Sequence, residues 1–432
     1  MKFRVTALLL LSVAMWGGSM TAAIPAQPTN TLSWSEVLPA HQQLYRYAPT
    51  TMEVNGKRYL YYCANVAGRR YTGGVSAVKA SNRTYAQGGT LATNDPIYDF
   101  IVMRVGTQAD GAWTYGAEQI VKNLDIRQDD SWDQRHICDP EVISGEFWYK
   151  APEQAHQEKY SYAMFYTGAG FQGNDYKHVA LKAPINHIGW AVSKTPEGPW
   201  YKVEGYHALV QARQEDGGWG VGQPSATSID GKGKILLFYT RGTATKTSVK
   251  AVALDLSNAN LPVDKNEKTP FDTDFIKESE FHIPHKGLKA YANKPAHLLL
   301  NPAFMYDPST DEFIMTAPML NASGKTGWCA AGQPNTGDVS DQVQVAKIKG
   351  SSLWAGGGAW TMMGVLSDGS TGDNSKRYFD SGLIKNALGH KLSGPLHIQS
   401  SVTLENVVVN GVVKKPRCMT LYDYRIEEFE VQ

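Results

Sequence analysis

Four acidic residues of this chain stand where acid and base chemistry could be performed. Asp139 and Asp380 each precede a predicted strand, and Glu141 follows Asp139 by two positions. Because side chains alternate along an extended strand, Asp139 and Glu141 are expected on one face. The like charge of Asp139 is then expected to raise the pKa of Glu141, as an acid catalyst requires. Glu215 lies in a glycine-rich loop from which an acid could approach a bound molecule. Two carboxyl groups in one pocket can divide the acid and base roles of a hydrolytic reaction.

Residues of three other kinds accompany these acids and are candidates for binding a substrate. Arginine makes forked hydrogen bonds to anionic groups, histidine changes charge near pH 6.5, and a tryptophan ring offers a flat apolar face. The predicted substrate-binding residues are Trp132, Arg135, His136, His187, Trp219, Gln223, Arg241 and Asn301.

Each of these roles has a structural alternative. Glu141 could be paired with Arg135 or Arg241 rather than act as an acid, and Asp380 could bind the turn amides beside Ser381. The histidines could simply be exposed, and the tryptophans could pack between strands.

The elements that would position these residues follow from a repeat. Five segments open a strand with a small or polar residue: Ala48-Pro49-Thr50, Asp139-Pro140-Glu141, Gln223-Pro224-Ser225, Asn301-Pro302-Ala303 and Asp380-Ser381-Gly382. Their second residues lie 91, 84, 78 and 79 positions apart. A period near eighty without helical patterning is typical of one four-stranded antiparallel blade per repeat. The sequence therefore predicts an all-β, five-bladed β-propeller with blades starting near 47, 138, 222, 300 and 379.

Two further features bear on this prediction. Aromatic and β-branched second strands follow the openings, as in Arg58 to Cys63 and Ile235 to Tyr239. A β-sandwich, the alternative, has frequent turns but no eighty-residue register. In a propeller the loops that enter the inner strands lie on one face around the central channel, so a site is expected at that channel mouth.

Blade 2 carries a resemblance to a known group of enzymes. Asp139-Pro140, the strand Tyr162 to Gly168 and the segment Ile188 to Trp200 are similar to the five-bladed propeller glycosidases of families 43, 32, 68, 117 and 130. The resemblance implies a glycan substrate and a channel-mouth pocket. It also implies a base or nucleophile from blade 1, an aspartate from blade 2 that tunes a pKa or stabilises the transition state, and a glutamic acid from blade 3. Family 117 adds the idea of a histidine acid.

The chain departs from that pattern at three openings. Asp139 matches the blade 2 aspartate, but Ala48, Gln223 and Asn301 are neutral. We therefore expect an exo-acting glycoside hydrolase that pairs Asp139 with Asp380, with Glu141, Glu215 or Asp99 as other candidates. A carbohydrate-binding propeller without catalysis is the alternative, and export argues against a phosphorylase.

The N-terminal segment and the charge balance indicate where the protein is located and which partners it binds. Lys2 and Arg4, the apolar run Ala7 to Met15 and small residues through Ala23 predict a signal peptide over 1–23, followed by a single propeller domain over 24–432. A secreted or periplasmic location is expected. With 42 basic and 41 acidic residues, neither nucleic acid binding nor membrane insertion is expected.

The cysteines indicate a structural rather than a chemical role. Four cysteines in an exported chain permit one or two disulfides, and none has the spacing of a zinc site. Cys138 is expected to be a buried or bridged structural residue. No cofactor is expected to be required, although aspartate and carbonyl oxygens could hold a structural calcium ion.

Overall fold

The computed structural model describes residues 23–25, 28–32, 46–65, 99–121, 124, 133, 136–151, 154–169, 186–203, 208–213, 216, 220–243, 246–257, 281–288, 299, 301–319, 342–367, 376–404, 407–409, 412–414 and 425–431. The predicted signal peptide therefore lies outside the described residues apart from Ala23.

The described strands form antiparallel blades that follow one another along the chain. Two strands precede the first blade: β1 (Ala23–Pro25) and β2 (Pro28–Leu32). Blade 1 contains β3 (Arg46–Val54), β4 (Lys57–Asn65), β5 (Asp99–Ala109), β6 (Ala112–Tyr115) and the short β7 (Gln119–Ile120). Blade 2 contains β8 (His136–Tyr149), β9 (Glu158–Ala169), β10 (Asn186–Ser193) and β11 (Tyr201–Lys202).

The remaining blades repeat this order. Blade 3 contains β12 (Gly220–Ser228), β13 (Lys234–Thr243), β14 (Lys246–Asp255) and β15 (Phe281–His282). Blade 4 contains β16 (Ala303–Asp307), β17 (Glu312–Met319), β18 (Gln342–Lys349) and β19 (Thr361–Ser367), with the helix α1 (Gly350–Trp354) between its last two strands. Blade 5 contains β20 (Lys376–Asn386) and β21 (Leu396–Leu404), then the small hairpin β22 (Val407–Val409) and β23 (Val412–Lys414), and finally β24 (Arg425–Val431).

The inner strands close into a ring. β3, β8, β12, β16 and β20 contact one another in that order, and β20 returns to β3. This last contact is a parallel pairing of Ile384 with Thr51 and of Asn386 with Glu53. The five-bladed propeller predicted from the repeat is therefore confirmed, with its inner strands around one axis.

Blade 5 takes its outermost strand from the other end of the chain. β2 pairs antiparallel with β24, and Leu32 lies opposite Ile426. β1 lies parallel to β19 at the edge of blade 4. The N-terminal segment thus joins the last two blades.

Apolar side chains from adjacent blades fill the spaces between sheets. Phe238 of blade 3 stacks on Phe304 of blade 4, with ring centroids 4.1 Å apart. Both rings are fully buried. Stacked aromatic rings bury a large apolar area, so this contact helps to fix the inner strands that carry the site.

The lower end of the axis is closed by the turn between β20 and β21. Carbonyl groups of residues 387–389 accept hydrogen bonds from backbone amides of three other blades: Ser144 at 2.5 Å, Ser228 at 2.9 Å and Tyr306 at 3.2 Å. The described part of the chain therefore has an axial space with a closed lower end. No helix among the described residues has the length and apolar character needed to cross a membrane.

Candidate active site

The five blade openings adopt the same unusual backbone conformation. Residues Ala48, Asp139, Gln223, Asn301 and Asp380 have φ angles of 51°, 47°, 57°, 48° and 45°. Positive φ is uncommon for residues other than glycine, and such residues often occur at functional sites. At four openings the pairing with the second strand is interrupted beside this residue, as in a β-bulge. A bulge redirects a side chain, here at the start of each inner strand.

These openings surround one cavity on the propeller axis. It is lined by 48–50, 139–141, 223–225, 301–303 and 380–381. About 40 Å³ is accessible to the centres of water-sized molecules, which is room for a few waters. The structure thus brings together five of the predicted site residues: Asp139, Glu141, Gln223, Asn301 and Asp380.

Side chains of neighbouring strands bind the backbone amides at three openings. The amide of Asp139 lies 2.8 Å from Cys63 Sγ, and the amide of Gln223 donates to Thr167 Oγ1 at 2.8 Å. The amide of Asn301 donates to Gln223 Oε1 at 3.1 Å. Gln223 therefore has a described structural contact at the adjacent opening, and its contact with substrate remains a prediction.

Glu141 is the centre of a buried polar cluster beneath the openings. Glu141 and Lys385 are each only 2% exposed, and Lys385 Nζ donates to Glu141 Oε1. Thr50 Oγ1 donates to Glu141 Oε2 at 3.1 Å. Burial raises the pKa of the Glu141 carboxyl, whereas Lys385 and Thr50 act in the opposite direction.

Two expectations for Glu141 need correction. Its described cationic partner is Lys385 of blade 5 rather than Arg241, and Arg135 lies outside the described residues. The rise in its pKa was expected from a like-charged neighbour, but its main cause is burial.

Asp139 and Asp380 lie at openings on either side of blade 1. The inner strands of blades 2 and 5 both contact β3, which begins blade 1. Asp380 is buried, whereas Asp139 is half-buried. The predicted pair therefore lines the same cavity around Ala48, which cannot take part in acid or base chemistry.

A disulfide lies directly beside Asp139. It joins Cys63 of β4 to Cys138 of β8, with Cα atoms 5.2 Å apart. Its sulfur atoms lie 3.9 Å and 3.2 Å from Asp139 Oδ1. The prediction of a bridged, structural Cys138 is confirmed. These three side chains are close enough to suggest a metal site, but sulfurs bonded to each other offer no thiolate ligand.

Arg241 and His187 belong to a second buried cluster. Arg241 pairs with Asp216 rather than with Glu141, and it donates to the Gln211 carbonyl at 3.3 Å. His187 Nδ1 accepts a hydrogen bond from the Ala212 amide at 3.0 Å. Binding of substrate by these two side chains remains a prediction.

The buried environment changes the chemistry available to His187. Burial, together with the Arg241 charge, lowers the pKa of His187 to about 3. The imidazole is therefore neutral near pH 7. This finding argues against His187 as the protonated histidine acid that the family 117 resemblance suggested.

Some predicted residues cannot be placed. Glu215, Trp132, Trp219 and Arg135 lie outside the described residues, and for His136 only the backbone, at the start of β8, is described. The sequence reasoning overlooked Lys385, Thr50 and Cys63. A lysine within the strand that begins at a predicted opening was a usable signal for the first of them.

Comparisons with known proteins give the following results. No protein-family model matches the sequence. The comparison with curated proteins found no matching sequence. Among solved structures, the chain is similar to a family 117 glycoside hydrolase from Zobellia galactanivorans, with 12% identity, TM-score 0.46 and coverage of 94% of this chain and 90% of the other.

Two α-L-arabinofuranosidases are also similar. The Podospora anserina enzyme, solved with cellotriose, has 9% identity and TM-score 0.48. The GH62 catalytic domain from Coprinopsis cinerea has 8% identity and TM-score 0.49. Each comparison covers 95% of this chain and 97% of the other. The five-bladed architecture described above rests on the strand pairing of this chain itself.

Proposed function

We propose that this protein is a secreted glycoside hydrolase that cleaves an oligo- or polysaccharide with the carboxyl groups of Asp139 and Asp380. The observation that carries the proposal is the axial cavity, which both residues line together with Glu141. Glycosidic cleavage needs one carboxylic acid to protonate the leaving oxygen and one carboxylate to supply or activate the nucleophile. Asp139 and Asp380, at two openings of the ring, would supply this pair of carboxyl groups.

The neutral residues of the cavity suit the binding of sugar hydroxyl groups. Gln223 and Asn301 bring amide side chains to the same space, and amides both donate and accept hydrogen bonds. Glu141, held by Lys385 and Thr50, would contribute its charge from below rather than contact the leaving group. Its predicted role as the acid is therefore a weaker proposal than the aspartate pair.

Attack on a chain end is part of the proposal. The carbonyl groups of residues 387–389 bind the inner strands of three other blades at the lower end of the axis, so a sugar would approach the cavity from the mouth. The Cys63–Cys138 disulfide suits the oxidising compartment expected of an exported protein. A structural calcium ion remains a prediction without a described ligand set.

The test is an activity screen of the purified protein against a broad glycan library, with release of reducing sugar as the readout. On the substrate found, Asp139→Asn should keep the fold and lower kcat at least about a hundredfold, since removal of a positioned acid, base or charged group typically costs that much. Ser309→Ala, on the exposed turn after β16, is the matched control. An Asp139→Asn variant with near-normal turnover would show that the assignment is wrong.

A carbohydrate-binding propeller without catalysis is the second candidate. The observation that favours it is the presence of Ala48, Gln223 and Asn301 at three of the five openings. Titration calorimetry with the same library separates the two functions. Binding with no sugar release over long incubation would support the binding protein and exclude the hydrolase.

A further inference from the structure

The Cys63–Cys138 disulfide lies against both the backbone amide and the carboxyl group of Asp139. Cys138 is the residue before Asp139 in the chain, and the Asp139 amide lies 2.8 Å from Cys63 Sγ. Both cysteines are buried, at 0% and 1% exposure. The bond is therefore part of the wall that supports the Asp139 turn.

Blade 2 has a residue at the position that Cys63 occupies in blade 1. Cys63 pairs across its blade with Tyr47, the residue before the left-handed Ala48. Thr167 pairs in the same way with Cys138, the residue before the left-handed Asp139. Cys63 and Thr167 are thus structurally equivalent second-strand residues.

These equivalent residues bind equivalent amides. Thr167 Oγ1 accepts a hydrogen bond from Gln223, the left-handed residue of the following blade, and Cys63 Sγ is placed in the same way for Asp139. At the Asp139 opening, Cys63 Sγ is also bonded covalently to Cys138, the residue before Asp139. At the Gln223 opening, the backbone amide is held by the hydroxyl group of Thr167.

The disulfide also reaches the opening of blade 1. The Tyr47 hydroxyl lies 2.9 Å from Cys138 Sγ, and Tyr47 directly precedes Ala48. Because a disulfide sulfur carries no proton, the Tyr47 hydroxyl is the donor in this contact. The same disulfide therefore contacts residues at the openings of blades 1 and 2.

We propose that the Cys63–Cys138 disulfide is a positioning element of the site, which holds Asp139 in its left-handed turn, so that reducing it disables the site while the propeller stays folded. The catalytic part of this inference rests on the proposed function, but the positioning part does not. Contacts independent of the sulfurs also join blades 1 and 2, such as the 2.6 Å hydrogen bond from Tyr61 Oη to the Pro196 carbonyl.

Reduction by a dithiol gives a defined change. The dithiol loses two electrons and two protons and closes to its own cyclic disulfide, while the S–S bond of Cys63 and Cys138 breaks to leave two thiols. A Cys329→Ser/Cys418→Ser background removes the other two cysteines of the chain, so that a dithiol then acts on this bond alone.

Two disulfide-free variants separate positioning from cross-linking. Cys63→Ala/Cys138→Ala removes both the link and the acceptor, whereas Cys63→Thr/Cys138→Ser supplies the hydroxyl that Thr167 provides to Gln223. Both lose the same cross-link. We expect kcat to fall at least tenfold in both variants, because both lose the covalent link, and to fall further in the alanine variant, which also lacks the hydrogen-bond acceptor. Turnover within about threefold of wild type in both variants would overturn the positioning role.

A spectroscopic readout tests the same inference without catalysis. In protein labelled with ¹⁵N-aspartate, the Asp139 amide is identified by its loss in Asp139→Asn. Its hydrogen exchange should accelerate at least tenfold on reduction of the Cys329→Ser/Cys418→Ser variant, while the Gln223 amide in ¹⁵N-glutamine-labelled protein stays unchanged. The reduced form of that variant also provides the test if the alanine variant does not fold.

The outcomes distinguish the two proposals. If the Asp139 amide responds but the oxidised protein cleaves no glycan, the hydrolase proposal fails and the positioning role stands. If exchange at Asp139 is the same in oxidised and reduced protein, the positioning role is wrong whatever the activity.

Discussion

Lys385 of blade 5 reaches across the propeller axis and donates a hydrogen bond to Glu141 of blade 2. Lys385 Nζ also lies 3.3 Å from the Phe304 carbonyl of blade 4, and Glu141 accepts from Thr50 of blade 1. The Ala226 amide of blade 3 is a further partner of Glu141. One buried ion pair therefore connects all five blades directly beneath the candidate site.

Lys385→Met should destabilise the protein strongly. Removing one partner of a buried ion pair leaves the other charge uncompensated, which typically costs about 3–5 kcal/mol. Glu141→Leu/Lys385→Met should recover much of this loss, because neither charge then remains. Unfolding in guanidinium chloride measures both.

A half-exposed lysine provides the control for that experiment. Lys347 pairs with Glu312 at 3.1 Å and has a side-chain exposure of 38%. Lys347→Met should therefore change the unfolding free energy by less than about 1 kcal/mol. A similar small effect for Lys385→Met would contradict the structural role of the axial pair.

Asp380→Ala should abolish hydrolysis and leave the melting temperature within a few degrees of wild type. The residue opens blade 5 beside the cavity and contributes little apolar packing. Activity on the library substrate and thermal unfolding are the two measurements. A large fall in melting temperature with residual activity would mean that Asp380 supports the turn, as in its structural alternative.

His187 should make the protein less stable as the pH falls below about 6.5. The unfolded chain binds a proton near pH 6.5, whereas the folded chain does so only at a pKa of about 3. Between these values the unfolded state holds more protons, so stability is fully present above pH 6.5 and is lost progressively towards pH 3. The slope contributed by this one group is at most about 1.4 kcal/mol per pH unit.

The test compares unfolding free energies between pH 7 and pH 5 for wild type and His187→Asn. Asparagine can accept the Ala212 hydrogen bond without titrating. We expect a flatter pH profile for His187→Asn than for wild type. Parallel profiles for His187→Asn and wild type would refute the buried, neutral imidazole.

Gly382→Ala should damage the contact between blades 5 and 1. A Cβ atom at Gly382 would lie 1.8 Å from the Pro49 carbonyl oxygen, too close for the two inner strands to keep their places. Overpacking of this kind costs roughly 1–3 kcal/mol or more. Gly357→Ala, where a Cβ meets open space, is the control, and equal melting temperatures for the two variants would contradict the close approach.

The sequence predicted the parts of this molecule that repeat. The spacing of the five openings predicted the blades, and Asp139, Gln223, Asn301 and Asp380 do line one cavity because each occupies the same position in its blade. The partner of Glu141 was not predictable in this way. Lys385 belongs to another blade, and its approach depends on the closure of the ring rather than on any local pattern.

The closing strand was also missed for a physical reason. Pro28–Leu32 reads PTNTL, which has too few apolar residues to show the alternation expected of a strand. Its place depends on pairing with β24, a partner almost four hundred residues away in the sequence.

The pairing of β2 with β24 also bears on how the chain reaches its folded state. Blades 1 to 3 can form from neighbouring segments, but blade 5 needs Pro28–Leu32 and Arg425–Val431 to meet. Contacts between residues so far apart in sequence carry a high entropic cost and slow folding. We therefore expect the pairing of β2 with β24 to form late in folding. Until it forms, blade 5 has an open edge at which a strand from another molecule could pair.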